Sequence, residues 1–394
     1  MSSVNPSRPG RGEKKSPRGK PGAVQKGVNP IFRFIHAADF HLDSPFRALP
    51  PERAALRRRE SRELVERLAS YAAQHRTDLV LLSGDLFDSD SAYRETTEGL
   101  TRALGAIPAP VFLAPGNHDW YGSGSPYTAL DWPENVHIFR EAQIESVELP
   151  ELNAVVHGAA FTAPKQTESL LAGFRTPADG RTHLMVLHGD MLGKGSQYNP
   201  LDEAEVADSG LTYLALGHIH ACSGLQKAGG TFWAYPGCPE GRGFDELGDK
   251  GFLEGVVDGL NVSVTFVPFA RRRYESIQVD VTDREPQAAL EAALGPDTAA
   301  DLYRVTFTGE TGEAGVDLAG LTEAFADRFY QLELRDATHI RQDVWARAGE
   351  DSLRGAFLRQ LQIRLRNAQT EEERETVSRA ARFGLAALDN RDLT

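Results

Sequence analysis

Five apolar stretches, each long enough for one buried strand and each ending abruptly on a polar segment, constrain this chain more than any other feature. They run from Ile31 to Ala38, Asp78 to Ser83, Val111 to Ala114, Leu184 to Leu187 and Leu211 to Leu216. Short apolar runs bounded by turn residues read as strands buried on both faces. The segments that follow are Asp39-Phe40-His41, Gly84-Asp85-Leu86-Phe87-Asp88, Gly116-Asn117-His118-Asp119, His188-Gly189-Asp190 and Gly217-His218-Ile219-His220. Open α/β sheets gather the carboxyl ends of neighbouring strands at one crevice, so spacing in sequence becomes proximity in space.

These segments supply Asp, His and Asn side chains, the oxygen and nitrogen donors that a pair of divalent metals needs for hydrolysing phosphate esters. An Asp-x-His triplet is common by chance, and a lone histidine after a strand is more often a satisfied core residue. Gly-Asn-His-Asp and Gly-His-x-His are more specific, and the ordered set points to a metal centre. Of eleven histidines, His41, His118, His188, His218 and His220 fall inside the segments. His36, His75, His137, His157, His183 and His339 stand singly and are expected to be structural. His36, an alternating strand residue just before the first segment, is expected to pack or pair nearby.

The five segments resemble those of the calcineurin-like metallophosphoesterases. Three stretches are similar to the SbcD and YhaO type of DNA repair exonuclease: Phe34-Ile35-His36-Ala37-Ala38-Asp39-Phe40-His41-Leu42-Asp43-Ser44-Pro45, the Gly84 to Asp88 block, and Tyr235-Pro236-Gly237-Cys238-Pro239-Glu240-Gly241-Arg242-Gly243-Phe244-Asp245-Glu246. In the last of these, Cys238 stands where a Ser is more usual. The resemblance implies an α/β fold, a layered metallophosphoesterase β-sandwich flanked by helices, with a small α/β capping module and a helical C-terminal region. It implies two ions sharing one carboxylate. Asp39, His41, Asp85 and His220 would hold the first, and Asp85, Asn117, His188 and His218 the second. A bridging carboxylate keeps two cations about 3.5–4 Å apart, a spacing that clamps a phosphate in line with an attacking oxygen. The resemblance assigns His118 to the phosphate and leaving oxygen, where an imidazolium stabilises charge or gives up a proton. Asp119 and Asp190 read either as carboxylates that orient imidazoles or as turn and cap residues. Cys222 and Cys238 lie outside the five segments, so the donor set contains no thiolate. It suits manganese or iron(II), with zinc a further occupant, and the resemblance favours manganese.

The expected domains are a basic disordered tail over 1–30, a nuclease domain over 31–270, a capping domain over 271–340 and a helical region over 341–394. The 394 residues, 41% of them hydrophobic, suffice for one large core and one or two smaller modules. Apolar runs of about 18 residues are absent, so no membrane span is expected. Two cysteines argue for a reducing, cytoplasmic setting rather than a disulfide framework. The first thirty residues carry seven Lys or Arg against one Glu, a composition for either loose DNA contacts or mere solubility. The whole chain has a net charge of −13, which leaves −19 on residues 31–394 once the +6 tail is removed. That acidity is unusual for a protein that grips DNA alone, and it raises the value of a partner. The runs Arg57-Arg58-Arg59 and Arg271-Arg272-Arg273 read as solvated faces or as contacts to a phosphate backbone.

Helical spacing runs from Glu52 to Gln74, and strands are expected at Thr231 to Tyr235, Phe252 to Val257 and Val262 to Val267. Beyond Pro268, strands are expected at Ser276 to Val281, Tyr303 to Thr308 and Gln331 to Arg335, with helices at Gln287 to Ala293 and Leu318 to Phe329. Leu353, Phe357, Leu361, Leu365 and Ala368 make a helical stripe, and Thr370 with Glu373 forms a capping box for a second helix. Such a stripe usually packs on its own protein. The resemblance instead implies docking on the coiled coil of an SbcC-like SMC-type ATPase, and it suggests a homodimer. The function expected is a two-metal DNA nuclease, 3′-to-5′ on duplex ends with single-strand endonuclease action, in DNA repair. The alternatives are a nucleotide or other small-molecule phosphoesterase of the same superfamily, or an architectural subunit that tethers DNA ends.

Overall fold

The computed structural model describes residue 1 and residues 29–89, 92–191, 193, 195–312, 314–340 and 344–388, so all but the ends of the expected basic tail lies outside the described residues. Packing divides the chain into two discontinuous units. The first comprises Met1–His41, Val65–Gly237 and Phe252–Val267, and the second Leu42–Leu64, Cys238–Gly251 and Pro268–Thr394.

In chain order the strands of the first unit are β1 (Phe32–Ala37), β2 (Leu79–Leu82), β3 (Val111–Leu113), β4 (Val136–Ile138), β5 (Glu145–Leu149), β6 (Ala154–Gly158), β7 (Thr182–His188), β8 (Tyr213–Gly217), β9 (Gln226–Ala228), β10 (Thr231–Ala234), β11 (Gly251–Asp258) and β12 (Asn261–Pro268). They form two six-stranded sheets, ordered β12-β11-β1-β2-β3-β4 and β5-β6-β7-β8-β10-β9. β1 to β4 are mutually parallel, as are β6, β7, β8 and β10. Each sheet therefore presents the carboxyl ends of four parallel strands along one of its ends. The inner faces share a core of Phe32, Phe34, Leu79, Leu81 and Phe112 from one sheet with Val156, Leu184, Val186 and Tyr213 from the other. The far face of the second sheet is covered by Leu171, Leu201 and Val206 against Met185, Leu187, Leu214 and Leu216. Burial on both faces is why these strands read as continuous apolar runs. All five expected strands are present within two residues of the predicted ends, whereas β4, β5 and β9 are short or half-exposed and leave no such run.

In the second unit, Tyr274–Asp280, Leu302–Thr308 and Gln331–Asp336 form a parallel three-stranded sheet in that order. The helices Pro286–Ala293 and Leu318–Ala324 cover it through Leu290 and Leu321, packed with Val305, Phe307 and Phe325. The second helix stops at Ala324 rather than at the expected Phe329. The helices Leu353–Asn367 and Glu371–Leu388 meet along Leu358, Leu361, Ala381 and Leu385. The capping box is present: Glu373 N–H donates to Thr370 Oγ1 at 3.2 Å, and Thr370 N–H donates to the Glu373 carboxylate at 3.4 Å.

Arg57 and Arg272 depart from the expectation for the arginine runs. Arg57 is fully buried, and its guanidinium donates to Glu60, Glu240 and the Gly241 carbonyl. Arg272 is paired with Glu60 at 2.7 Å and stacked 3.6 Å from the Tyr330 ring centre. Arg271 and Arg273 pair with Glu63 and Asp301 at 2.9 and 2.8 Å. Arg57 and Arg272 thus serve carboxylates of their own unit rather than a solvated face, whereas Arg59 and Arg271 are exposed as expected. Among the described residues no helix is long and apolar enough to cross a membrane.

Candidate metal centre

β1 is followed by Asp39 and His41, β2 by Asp85, and β3 by Asn117 and His118; in the other sheet β7 ends on His188, and His218 and His220 follow β8. Four of these residues adopt the left-handed region that side chains normally avoid, with φ of 56° at Asp39, 43° at His41, 51° at Asp85 and 109° at His218. Each such residue costs on the order of 1–3 kcal/mol, and strain of this kind gathers where a side chain must point in one direction. A glycine is required at 116 for a related reason, because a Cβ there would lie 2.2 Å from Asp85 Oδ1.

The structure brings all seven expected ligands and His118 together. His41 Nε2 lies 3.2 Å from His220 Nε2 and 3.6 Å from Asp85 Oδ2. The same carboxylate oxygen also meets the other sheet: His188 Nε2 lies 3.4 Å from Asp85 Oδ2 and 2.9 Å from Asn117 Oδ1. His218 Nδ1 is 3.2 Å from the same amide oxygen. Asp39 accepts from the His218 N–H through both oxygens, at 3.0 and 3.1 Å, and Asp85 Oδ1 accepts from the His118 N–H at 3.0 Å. Among the described residues three sets have donor atoms close enough to share an ion: Asp39, His41 and His220; Asp39, Asp85 and His188; and His41, Asp88 and His118.

The chemistry of this donor set fits a pair of cations. His188 Nδ1–H donates to the Ser83 carbonyl at 2.9 Å, which leaves Nε2 with its lone pair facing two oxygens. Burial holds the His188 pKa down to about 4, and burial followed by the neighbouring His188 holds His218 at about 4. Both imidazoles are thus neutral electron-pair donors at pH 7. Burial pushes the Asp85 carboxyl upward, partly offset by His118. Lone pairs aimed at one another around a buried carboxylate are unfavourable until a cation stands among them.

Of the two readings expected for Asp119, the turn residue is the one its hydrogen bonds fit. Asp119 orients no imidazole through a hydrogen bond; it accepts from the Gly116 and Phe87 N–H groups and from Tyr127 Oη at 2.5 Å, pinning two ligand loops. Its pKa is pushed to about 6 by burial and then by Asp85. The carboxylate beside an imidazole is that of Asp88, 3.2 Å from His41 Nδ1, while the Asp88 carbonyl accepts from His118 Nδ1–H at 3.1 Å. Asp88 stands within the quoted Gly84 to Asp88 block, but nothing in one sequence separates it from a turn residue. Asp190 is placed where its charge favours the protonated form of His218.

His157 and His183 are not solitary. Ser146 Oγ–H donates to His157 Nδ1 at 2.8 Å, the two imidazoles bond at 2.9 Å, and Asp179 accepts from His183 Nε2–H at 3.1 Å. Burial, with help from His183 and Arg181, holds the His157 pKa down to about 4 against an ordinary value of 6.5. A base whose folded value is depressed stabilises the fold while neutral, and that contribution fades as pH falls from 6.5 toward 4. The urea midpoint of the chelated protein should therefore drop between pH 6.5 and 4.5, and less steeply in His157→Gln; identical slopes would contradict this account.

Comparison with known proteins agrees with the geometry. Residues 32–222 match the calcineurin-like phosphoesterase family. The chain is 34% identical over 268 residues to the uncharacterized metallophosphoesterase YhaO of Bacillus subtilis (strain 168), covering 65% of each chain. It is 24% identical over 238 residues to the DNA double-strand break repair protein Mre11 of Methanopyrus kandleri, covering 55% of this chain and 51% of that one. To the Mre11 of Aeropyrum pernix it is 25% identical over 278 residues, covering 64% of each. The chain thus spans less than two thirds of the length of each of these relatives. Residues 32–222, which supply every converging side chain, thus carry the similarity to the calcineurin-like phosphoesterase family, and the chain has the fold of that family, mixed α/β sheets flanked by helices.

Proposed function

We propose that the chain is a metal-dependent DNA nuclease, acting 3′ to 5′ on duplex ends and endonucleolytically on single strands. The observation that carries phosphodiester hydrolysis is the position of Asp85, whose one oxygen faces His41 and His188 together. When bound, two divalent cations activate water and neutralise charge on the phosphoryl oxygens. Asp39, His41, Asp85 and His220 would hold one ion, and Asp85, Asn117, His188 and His218 the other, with manganese the preferred occupant. His118 has its Nδ1–H committed to the Asp88 carbonyl, so Nε2 is the atom that meets the leaving oxygen and hands it a proton. Similarity to Mre11 break-repair proteins supports DNA as the substrate. An SMC-like ATPase is the proposed partner, docking on the C-terminal helices, where Leu353, Ile363 and Phe383 are exposed.

The net charge of −13 favours a competing reading, turnover of small nucleotide esters. Incubating the full chain with manganese and end-labelled duplex DNA separates the two. Nucleotide release is expected, reduced in His118→Ala by roughly 10²–10⁴-fold, the range for a lost general acid, with metal content unchanged. Turnover of a nucleotide phosphodiester with intact DNA would transfer the assignment to the small-molecule reading.

A further inference from the structure

The proposed centre is assembled from two sheets that have no strand in common. Asp39, His41, Asp85 and Asn117 follow β1, β2 and β3, whereas His188 ends β7 and His218 and His220 follow β8. Ligand positions on the two halves must agree within a few tenths of an ångström, yet apolar side chains, which fill most of the space between the sheets, set distance and direction loosely.

A buried polar chain crosses that core. Tyr213 Oη, at the start of β8, lies 2.9 Å from His36 Nδ1 near the end of β1. His36 Nε2 lies 3.0 Å from Ser83 Oγ, in the residue that follows β2. The Ser83 carbonyl then accepts from His188 Nδ1–H at the end of β7. β7 and β8 are hydrogen-bonded neighbours, with Leu184 opposite Tyr213 and His188 opposite Gly217, so the path closes on itself. All three of His36, Ser83 and Tyr213 have no exposed surface. The sheets also touch here: a Cβ on Gly217 would lie 1.9 Å from the Ser83 carbonyl oxygen.

We propose that Tyr213, His36 and Ser83 are positioning residues, a polar tie that sets one sheet against the other and aims His188 at the metal pair. This rests on the two-metal reading of the site. A phenylalanine and a leucine would fill the same volume with no buried polar group, so stability alone does not call for the tie. Hydrogen bonds of fixed length and direction supply what apolar packing lacks, a single register between the two sheets. The Ser83 carbonyl also fixes the tautomer of His188, which must present Nε2 to the ion.

Tyr213→Phe deletes one oxygen and keeps the ring that packs 4.8 Å from Phe34. Manganese titration calorimetry on the full chain should resolve two sites in the wild type. In Tyr213→Phe the site containing His188 should weaken by roughly 10–100-fold, the usual effect of losing an outer partner of a metal ligand, while the other changes less. The metal-free variant should unfold at a slightly lower midpoint, because His36 Nδ1 loses a buried partner, and the ¹⁵N spectrum of His188 should show mixed tautomers. His36→Gln, which keeps a donor and an acceptor, should fall between the two. Wild-type protein that binds no metal would overturn the metal-centre reading. Two wild-type affinities in Tyr213→Phe would overturn the tie alone, as would equal weakening of both sites, the mark of a merely structural residue.

Discussion

Asp85→Asn is expected to lose both ions together and to lower phosphodiester turnover by roughly 10³-fold or more, since metal ions supply several kcal/mol of transition-state stabilisation. The variant is nearly isosteric. Its amide oxygen can go on accepting from the His118 N–H, as Asp85 Oδ1 does at 3.0 Å. Its amide nitrogen then stands where Oδ2 lies, 3.4 Å from His188 Nε2, and donates to the lone pair that the cation requires. A shared ligand is lost and a competing hydrogen bond is gained. Removing a buried charge also has a consequence in the metal-free state. Burial already drives the Asp85 pKa upward, so the neutral variant should unfold no more easily than the wild type in the presence of chelator. Adding manganese should raise the wild-type midpoint and leave that of the variant where it was. Mass-spectrometric metal counts together with thermal unfolding would decide the matter. One retained ion with wild-type turnover would show that Asp85 bridges nothing.

Arg57→Ala should destabilise the second unit by about 3–5 kcal/mol, the usual effect of removing one partner from a buried ion pair. Arg57 Nη1 donates to Glu60 at 3.1 Å and to Glu240, and Nη2 donates to the Gly241 carbonyl at 2.8 Å. Glu60 keeps Arg272 after the substitution, with Arg272 donating to it through Nε and Nη2. Among the described residues Glu240 then keeps only the Arg271 N–H, at 3.0 Å, as a donor, and the residue is 3% exposed. The cost is therefore that of a buried and poorly matched charge rather than of the contact itself. The double variant Arg57→Met with Glu240→Leu should recover most of the loss, because it withdraws both charges and refills the volume. Urea unfolding of the three proteins measures this. A single-variant loss under about 1 kcal/mol, the size of an ordinary surface pair, would mean that the network is solvated.

That the seven expected ligands and His118 would converge was legible because each stands at the end of an apolar strand or a few residues beyond it, and strand patterns are local. Asp88 lies within one of the motifs, but its contact with His41 spans 47 residues and no periodicity encodes it. His36 was expected to pack or pair nearby; its partners prove to be Ser83 and Tyr213, the latter 177 residues away. His157 and His183 were expected to stand alone because they lie 26 residues apart, yet parallel pairing of β6 with β7 sets them side by side. Arg57 looked like part of a surface run because its neighbours Arg58 and Arg59 are arginines too. Helical geometry turns it inward with Ala54, Ser61, Leu64 and Leu68 while Arg59 faces solvent.

By itself the sequence determined which strands are buried, which donors stand at their ends, and hence a centre of oxygen and nitrogen ligands suited to paired divalent ions. Hydrophobic periodicity and strand-end chemistry are properties of neighbouring residues, so one chain suffices to show them. Only the tertiary structure decided that Asp85 lies between His41 and His188, that Ser83 sets the tautomer of His188, and that Leu42–Leu64 and Cys238–Gly251 are counted with the C-terminal segment in a second unit. Those outcomes depend on which strand ends and loops meet after the sheets pack, where a hydrogen bond or a desolvated charge is settled by distances of a few ångströms between residues far apart in the chain.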